Sequence, residues 1–137
     1  MGILGSRKSK DPPKRILIVD DTEFYQKAYR ERLEAAGYTV LSAYSGVEGL
    51  KMIVQELPDL VLLDLNMDRM DGFQVLQAVK ADPKLSPIPV IVFSVRGQSD
   101  EVKRAITLGA ADYLAKAATH PTKVIDKIKQ VLATAGR

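Results

Sequence analysis

The polar residues best suited to chemistry in this 137-residue chain stand where short apolar runs stop. Asp20 and Asp21 follow Ile16-Leu17-Ile18-Val19, and Asp64 follows Leu60-Val61-Leu62-Leu63. Ser94 follows Val90-Ile91-Val92-Phe93, and Lys116 follows Asp112-Tyr113-Leu114-Ala115. Three carboxylates brought close together repel, and their pKa values rise unless a cation sits between them. Mg²⁺ suits such a site, because it takes oxygen ligands from one or two carboxylates and keeps several waters. A backbone carbonyl near Asn66 could supply another oxygen. A carboxylate in this setting can also act as a nucleophile and form an aspartyl phosphate. The metal, Lys116 and the Ser94 hydroxyl would then bind the phosphoryl oxygens. Taken singly, each residue has a plainer reading. An Asp-Asp pair often caps a helix, with Asp21 the candidate here. Asp64 could be a turn residue, Ser94 a loop hydroxyl and Lys116 a solvated lysine. Their coincidence at successive strand ends is what points to a site.

The apolar patterning supplies elements able to bring them together. The runs at 16–19, 60–63 and 90–93 are short and apolar throughout, as expected of strands covered on both faces. Tyr38 to Leu41 and Asp112 to Ala115 complete a set of five strands. Between them lie helical segments: Thr22 to Ala36, Gly46 to Leu57, Phe73 to Lys80, Ser99 to Leu108 and Thr122 to Ala133. Tyr25, Tyr29 and Leu33 share one row of the first helix at spacing four. Val47, Leu50, Ile53, Val54 and Leu57 are expected to form the core stripe of the second, and Val124, Ile125, Ile128 and Leu132 that of the fifth. Gly37 and Gly109 stand where helix-ending glycines belong. Strands separated by helices predict an α/β fold: a five-stranded parallel sheet, flavodoxin-like and doubly wound, with five helices. In the strand order 2-1-3-4-5, the polar residues converge beyond the carboxyl ends of the strands, where ligands bind in open α/β sheets.

Composition narrows the function classes. The chain carries 20 basic and 17 acidic residues, 46% apolar residues, one histidine and no cysteine. Disulfides and thiolate metal sites are thereby excluded. No apolar run is long enough to span a membrane. Arg7, Lys8, Lys10, Lys14 and Arg15 stand against Asp11 alone, so the basic balance belongs to the first residues and a nucleic-acid-binding body is not expected. Residues 1–13 read as a flexible basic leader, in which Gly2 and Ser6 match a myristoylation pattern. Residues 14–134 read as one domain and 135–137 as a tail. Lys103, Arg104, Lys123, Lys127 and Lys129 form either a basic docking surface or an ordinary solvated face.

The motifs also carry a family resemblance. Residues 16–21 (ILIVDD), 62–72 (LLDLNMDRMDG) and 109–116 (GAADYLAK) resemble receiver domains of bacterial two-component response regulators, in the stand-alone, chemotaxis-regulator-like form. The likeness covers about residues 14 to 134. It implies Asp64 as phosphoacceptor, with Asp21 and Asp64 binding Mg²⁺, Asp20 positioning it and Asn66 contributing its carbonyl. It implies Ser94 as the switch hydroxyl, Lys116 as the phosphate-binding lysine and Tyr113 as the aromatic that turns inward. A histidine kinase or phosphotransfer protein would donate the phosphoryl group in the cytoplasm. Output would pass to another protein through the face of the fourth helix, fifth strand and fifth helix, without direct contact with nucleic acid. Enzymatic activity would be limited to self-phosphorylation and autodephosphorylation.

Two positions depart from that pattern. Asp68 follows Met67 where the family usually has proline, which could alter loop shape and metal affinity. Ala117 follows Lys116 where a cis proline is usual. A cis bond before a non-proline residue costs roughly 2.5–4 kcal/mol, so this bond is either trans or strained. The alternative function is a degenerate receiver that binds partners independently of phosphorylation. A small phosphatase using Asp64 fits less well, because Asn66 stands where a second catalytic acid would be needed.

Overall fold

The computed structural model describes residues 11–95 and 97–135. The leader residues 1–10, with Gly2 and Ser6, and the last two residues of the expected tail lie outside that range. Five strands form one sheet: β1 (Arg15–Val19), β2 (Thr39–Ala43), β3 (Leu60–Leu63), β4 (Val90–Ser94) and β5 (Asp112–Ala115). Their order is β2-β1-β3-β4-β5, and every pairing is parallel. Five helices alternate with them: α1 (Glu23–Ala35), α2 (Gly46–Glu56), α3 (Gly72–Ala81), α4 (Ser99–Thr107) and α5 (Pro121–Ala135).

The pleat of the central strands divides the core into two layers. Ile16 and Ile18 of β1, Leu60 and Leu62 of β3, and Ile91 and Phe93 of β4 pack against Tyr29 and Leu33 of α1 and Val124 and Ile128 of α5. Leu17, Val19, Val61, Leu63, Val90 and Val92 face the other way, onto Ile53 of α2, Leu76 and Val79 of α3, and Ala105 of α4. This two-sided burial is why those strands read as continuous apolar runs. The chain leaves β1 towards β2 on one side, while β3 pairs on the other. The carboxyl ends of β1 and β3 therefore flank the crevice where the strand order reverses.

Several boundaries differ from those expected. β2 extends to Ala43, because Ile18 and Val19 continue the ladder opposite Ser42 and Ala43. Ser42 hid that extension; its Oγ accepts from Arg30 Nη2 at 2.8 Å. Helix α3 begins at Gly72, behind an Asp71–Gln74 capping box. Helix α5 begins at Pro121, a residue suited to a first helical turn.

The expected core stripe of α2 requires correction. Ile53 is buried, but Val47, Val54 and Leu57 are exposed. The helix buries Gly46, Gly49 and Ile53 instead, and of the expected stripe Leu50 is partly buried against the core. A Cβ at Gly49 would lie 2.7 Å from Val19 Cγ1, and one at Gly46 would lie 2.2 Å from Met70 O. The glycine face admits the close approach and turns the bulkier stripe outward. No helix among the described residues is long and apolar enough to cross a membrane.

Candidate functional site

Chain direction brings the polar strand ends together. Asp20 leaves β1 with its N–H donating to Ala43 O of β2 at 3.0 Å, while Asp64 leaves β3 with its N–H donating to Val19 O at 2.9 Å. Asp20 Oδ1 accepts the Thr22 N–H at 2.9 Å, which folds the turn back over the end of β1. Asp21 is exposed, and its Oδ1 accepts from Thr22 Oγ1 at 3.3 Å. The N-cap of α1 is Thr22, so the reading of Asp21 as a helix cap does not hold. Asp21 is left to face the crevice with Asp20 and Asp64, and carboxylate oxygens of all three lie within 4.8 Å of one another.

Asp64 is 4% exposed and Ser94 fully buried. Ser94 Oγ donates to Asp64 Oδ1 at 3.1 Å and accepts from Asn66 Nδ2 at 2.9 Å. The Asn66 N–H adds a longer bond to Asp64 Oδ1 at 3.3 Å. On the other side, Lys116 Nζ lies 2.6 Å from Asp20 Oδ2 and 3.7 Å from Asp64 Oδ2. Burial raises the Asp64 carboxyl pKa above its ordinary value. The Lys116 ammonium opposes that rise, Asp20 adds to it, and the Asn66 N–H and Ser94 hydroxyl lower it.

This donor set suits a hard divalent cation. Three carboxylates face one ammonium, so two negative charges stay uncompensated at close range. Mg²⁺ takes oxygen ligands and matches that charge. Asp68, the extra carboxylate of the loop, is exposed and stands outside the three-carboxylate group.

Lys116 is buried rather than solvated. Its N–H donates to Ser94 O at 2.7 Å, which ties the end of β5 to that of β4. The described residues contain no cis peptide, so the bond between Lys116 and Ala117 is trans. Tyr113 is half-buried against the α2–α3–α4 core layer, and its Oη donates to Glu101 Oε1 of α4 at 3.3 Å. On the outer surface, Lys127 pairs with Asp112 at 3.1 Å, and the Arg104 guanidinium lies 4.1 Å from the centre of the Phe73 ring. Each of those two side chains thus has a partner within the chain.

Sequence reasoning missed two residues on α1. Gln26 is fully buried, and its Nε2 reaches Ile18 O at 3.1 Å, Asp20 O at 2.9 Å and Ala43 O at 2.8 Å. It braces the backbone that carries Asp20. The available signal was a polar residue in register with Tyr29 and Leu33 on the buried face. Tyr25, read only as a core position, has the Lys116 ammonium 4.1 Å from its ring centre.

Comparisons with known proteins agree with this geometry. Residues 16–129 match the response regulator receiver domain family. A protein-glutamate methylesterase/protein-glutamine glutaminase of Geobacter sulfurreducens is 39% identical over 82% of the chain, which spans only 29% of that longer protein. The polar-differentiation response regulator DivK of Brucella anthropi is 32% identical over 90% of the chain and 99% of its own length. A crystal structure of a response regulator from Chloroflexus aurantiacus superposes with a TM-score of 0.83 at 31% identity, covering 88% of this chain and 98% of that one.

Proposed function

The chain belongs to the response regulator receiver domain family, and from that premise we propose that it is a phosphorylation-activated signalling switch with Asp64 as phosphoacceptor. The reading rests above all on one observation: the buried Asp64 carboxylate takes a hydrogen bond from the Ser94 hydroxyl, shares the Lys116 ammonium with Asp20, and has Asp21 as a third carboxylate beside it. Asp64 attacks the phosphorus of a phosphohistidine on a histidine kinase or phosphotransfer protein. The O–P bond forms as the N–P bond breaks, and the donor imidazole leaves. Asp21 and Asp64, with Asp20 beside them and the Asn66 carbonyl, would hold Mg²⁺. When bound, the ion neutralises charge on the phosphoryl oxygens.

Lys116 moves from its contact with Asp20 to a phosphoryl oxygen. Ser94, already hydrogen-bonded to Asp64, exchanges the carboxylate for the phosphoryl group. Because Lys116 and Ser94 join the ends of β5 and β4, that exchange pulls on both strands. Tyr113 leaves Glu101 and turns inward, remodelling the α4–β5–α5 face for a protein target. Water later hydrolyses the acyl phosphate and resets the switch. Phosphoryl donors of this kind place the reaction in the cytoplasm.

Intact-mass measurement after incubation with acetyl phosphate tests the proposal. A gain of one phosphoryl group is expected with Mg²⁺, but not without Mg²⁺ or in Asp64→Ala. The absence of any gain with Mg²⁺ would favour a binding module that works without phosphorylation.

A further inference from the structure

We infer that Tyr25 is a positioning residue for Lys116, its ring forming a seat that holds the ammonium between Asp20 and Asp64. The inference rests on the switch reading above, and deepens it at a residue not assigned by that reading. Lys116 Nζ lies 4.1 Å from the centre of the Tyr25 ring and 5.8 Å from that of Phe93, both within cation–π range. Its carboxylate contacts are unequal, 2.6 Å to Asp20 and 3.7 Å to Asp64. A long, flexible lysine placed between two anions needs a third contact to fix its direction. The ring provides one without adding a competing charge.

The ring is itself fixed. Tyr25 meets Phe93 edge-on with centroids 6.0 Å apart, and stacks beside Tyr29 at 6.5 Å. The next residue, Gln26, is anchored to the backbone of β1 and β2. Beneath the carboxylates, Asp20, Tyr25, Tyr29, Asp64 and Phe93 line a gap with no room for water. A dry floor strengthens the attraction between ring and ammonium. Ala117 is exposed and leaves the following backbone without the φ restraint of a proline ring. The backbone bond from Lys116 N–H to Ser94 O fixes the start of the side chain, and the ring adds a restraint at its far end. When Lys116 transfers from Asp20 to a phosphoryl oxygen, the ammonium pivots over the same ring face.

The test combines substitution at Tyr25 with two readouts. In the metal-free protein, the Lys116 ε-methylene protons, assigned by their loss in Lys116→Met, should resonate upfield of the other lysines because they lie near the ring face. Tyr25→Leu should abolish that displacement, whereas Tyr25→Phe should keep it. With acetyl phosphate and Mg²⁺, Tyr25→Leu should lower the phosphorylation rate about 3- to 30-fold, the range of a desolvated cation–π contact. Tyr25→Phe should restore most of the rate. In a Lys116→Met background, Tyr25→Leu should have little further effect. If leucine unfolds the chain, Tyr25→Met takes its place in both assays.

An unchanged lysine resonance in Tyr25→Leu, or an equal rate loss with and without Lys116, would overturn the inference. A wild-type protein that acquires no phosphoryl group would overturn the switch reading instead, and the resonance would still decide the seat.

Discussion

Substituting leucine for Gln26 removes the amide that braces the exit of β1. Gln26 Nε2 has two hydrogens for three carbonyls at 2.8 to 3.1 Å, so about two bonds are made at a time. A buried acceptor that loses its donor costs about 1–3 kcal/mol. Ala43 O keeps the Asp20 N–H, which places the loss near the lower end for that group. In the opposite direction, Gln26 Oε1 is buried without a hydrogen-bond partner, and its removal returns part of the cost. The net destabilisation expected for Gln26→Leu is about 1–2 kcal/mol, which lowers Tm by about 4–8 °C in a chain of this size. Urea unfolding followed by far-UV circular dichroism should show a lower midpoint with an unchanged m value. The Ile18 and Asp20 carbonyls belong to the segment that carries Asp20, so Mg²⁺ affinity should also fall. A leucine variant as stable as the wild type, with unchanged Mg²⁺ affinity, would refute the assignment of Gln26 as a brace.

Other perturbations follow from the same geometry. Burial raises the Asp64 pKa in the folded state, so the folded chain binds more protons than the unfolded chain as pH rises past about 3.9. Ionising Asp64 therefore lowers stability through that window. Asp64→Asn should be more stable than wild type at neutral pH without Mg²⁺, and the gain should vanish below the unfolded carboxylate pKa; thermal melts across pH would contradict this if asparagine were destabilising at pH 7. Mg²⁺ at tenfold its Kd should stabilise the wild type by about 1.4 kcal/mol, or about 5 °C in Tm. Calorimetry should find that gain greatly reduced in Asp20→Asn and Asp21→Asn, and full retention in both would exclude the acidic cluster as the metal site. Gly72→Ala places a Cβ 2.3 Å from Asp64 O and 2.7 Å from Leu65 Cα. Backbone has to move, so a loss of about 1–3 kcal/mol is expected together with slower phosphorylation from acetyl phosphate; an alanine variant matching wild type in both would contradict the close packing.

The sheet and the convergence of its polar ends were legible because β1, β3 and β4 are buried on both faces and end abruptly at Asp20, Asp64 and Ser94. Apolar periodicity located the helices but misjudged the rotation of α2. Counting Val47, Val54 and Leu57 as core gives no weight to glycine, although Gly49 sets how closely that helix approaches Val19 of the sheet and Gly46 how closely it approaches Met70. Ser42 concealed the end of β2 for a related reason, since an edge strand tolerates a polar residue that a central strand would not. Gln26 and Tyr25 were harder to read, because their partners are backbone carbonyls and a lysine 91 positions further along the chain. Periodicity along one helix reports which face is buried, but not what that face touches.

The most direct test of the central assignment is to locate the phosphoryl group. The protein is incubated with acetyl phosphate and Mg²⁺, reduced with borohydride to convert an acyl phosphate to homoserine, digested and sequenced by mass spectrometry. The account predicts homoserine in place of Asp64 and aspartate retained at Asp20 and Asp21. Conversion at another aspartate with Asp64 untouched would contradict it.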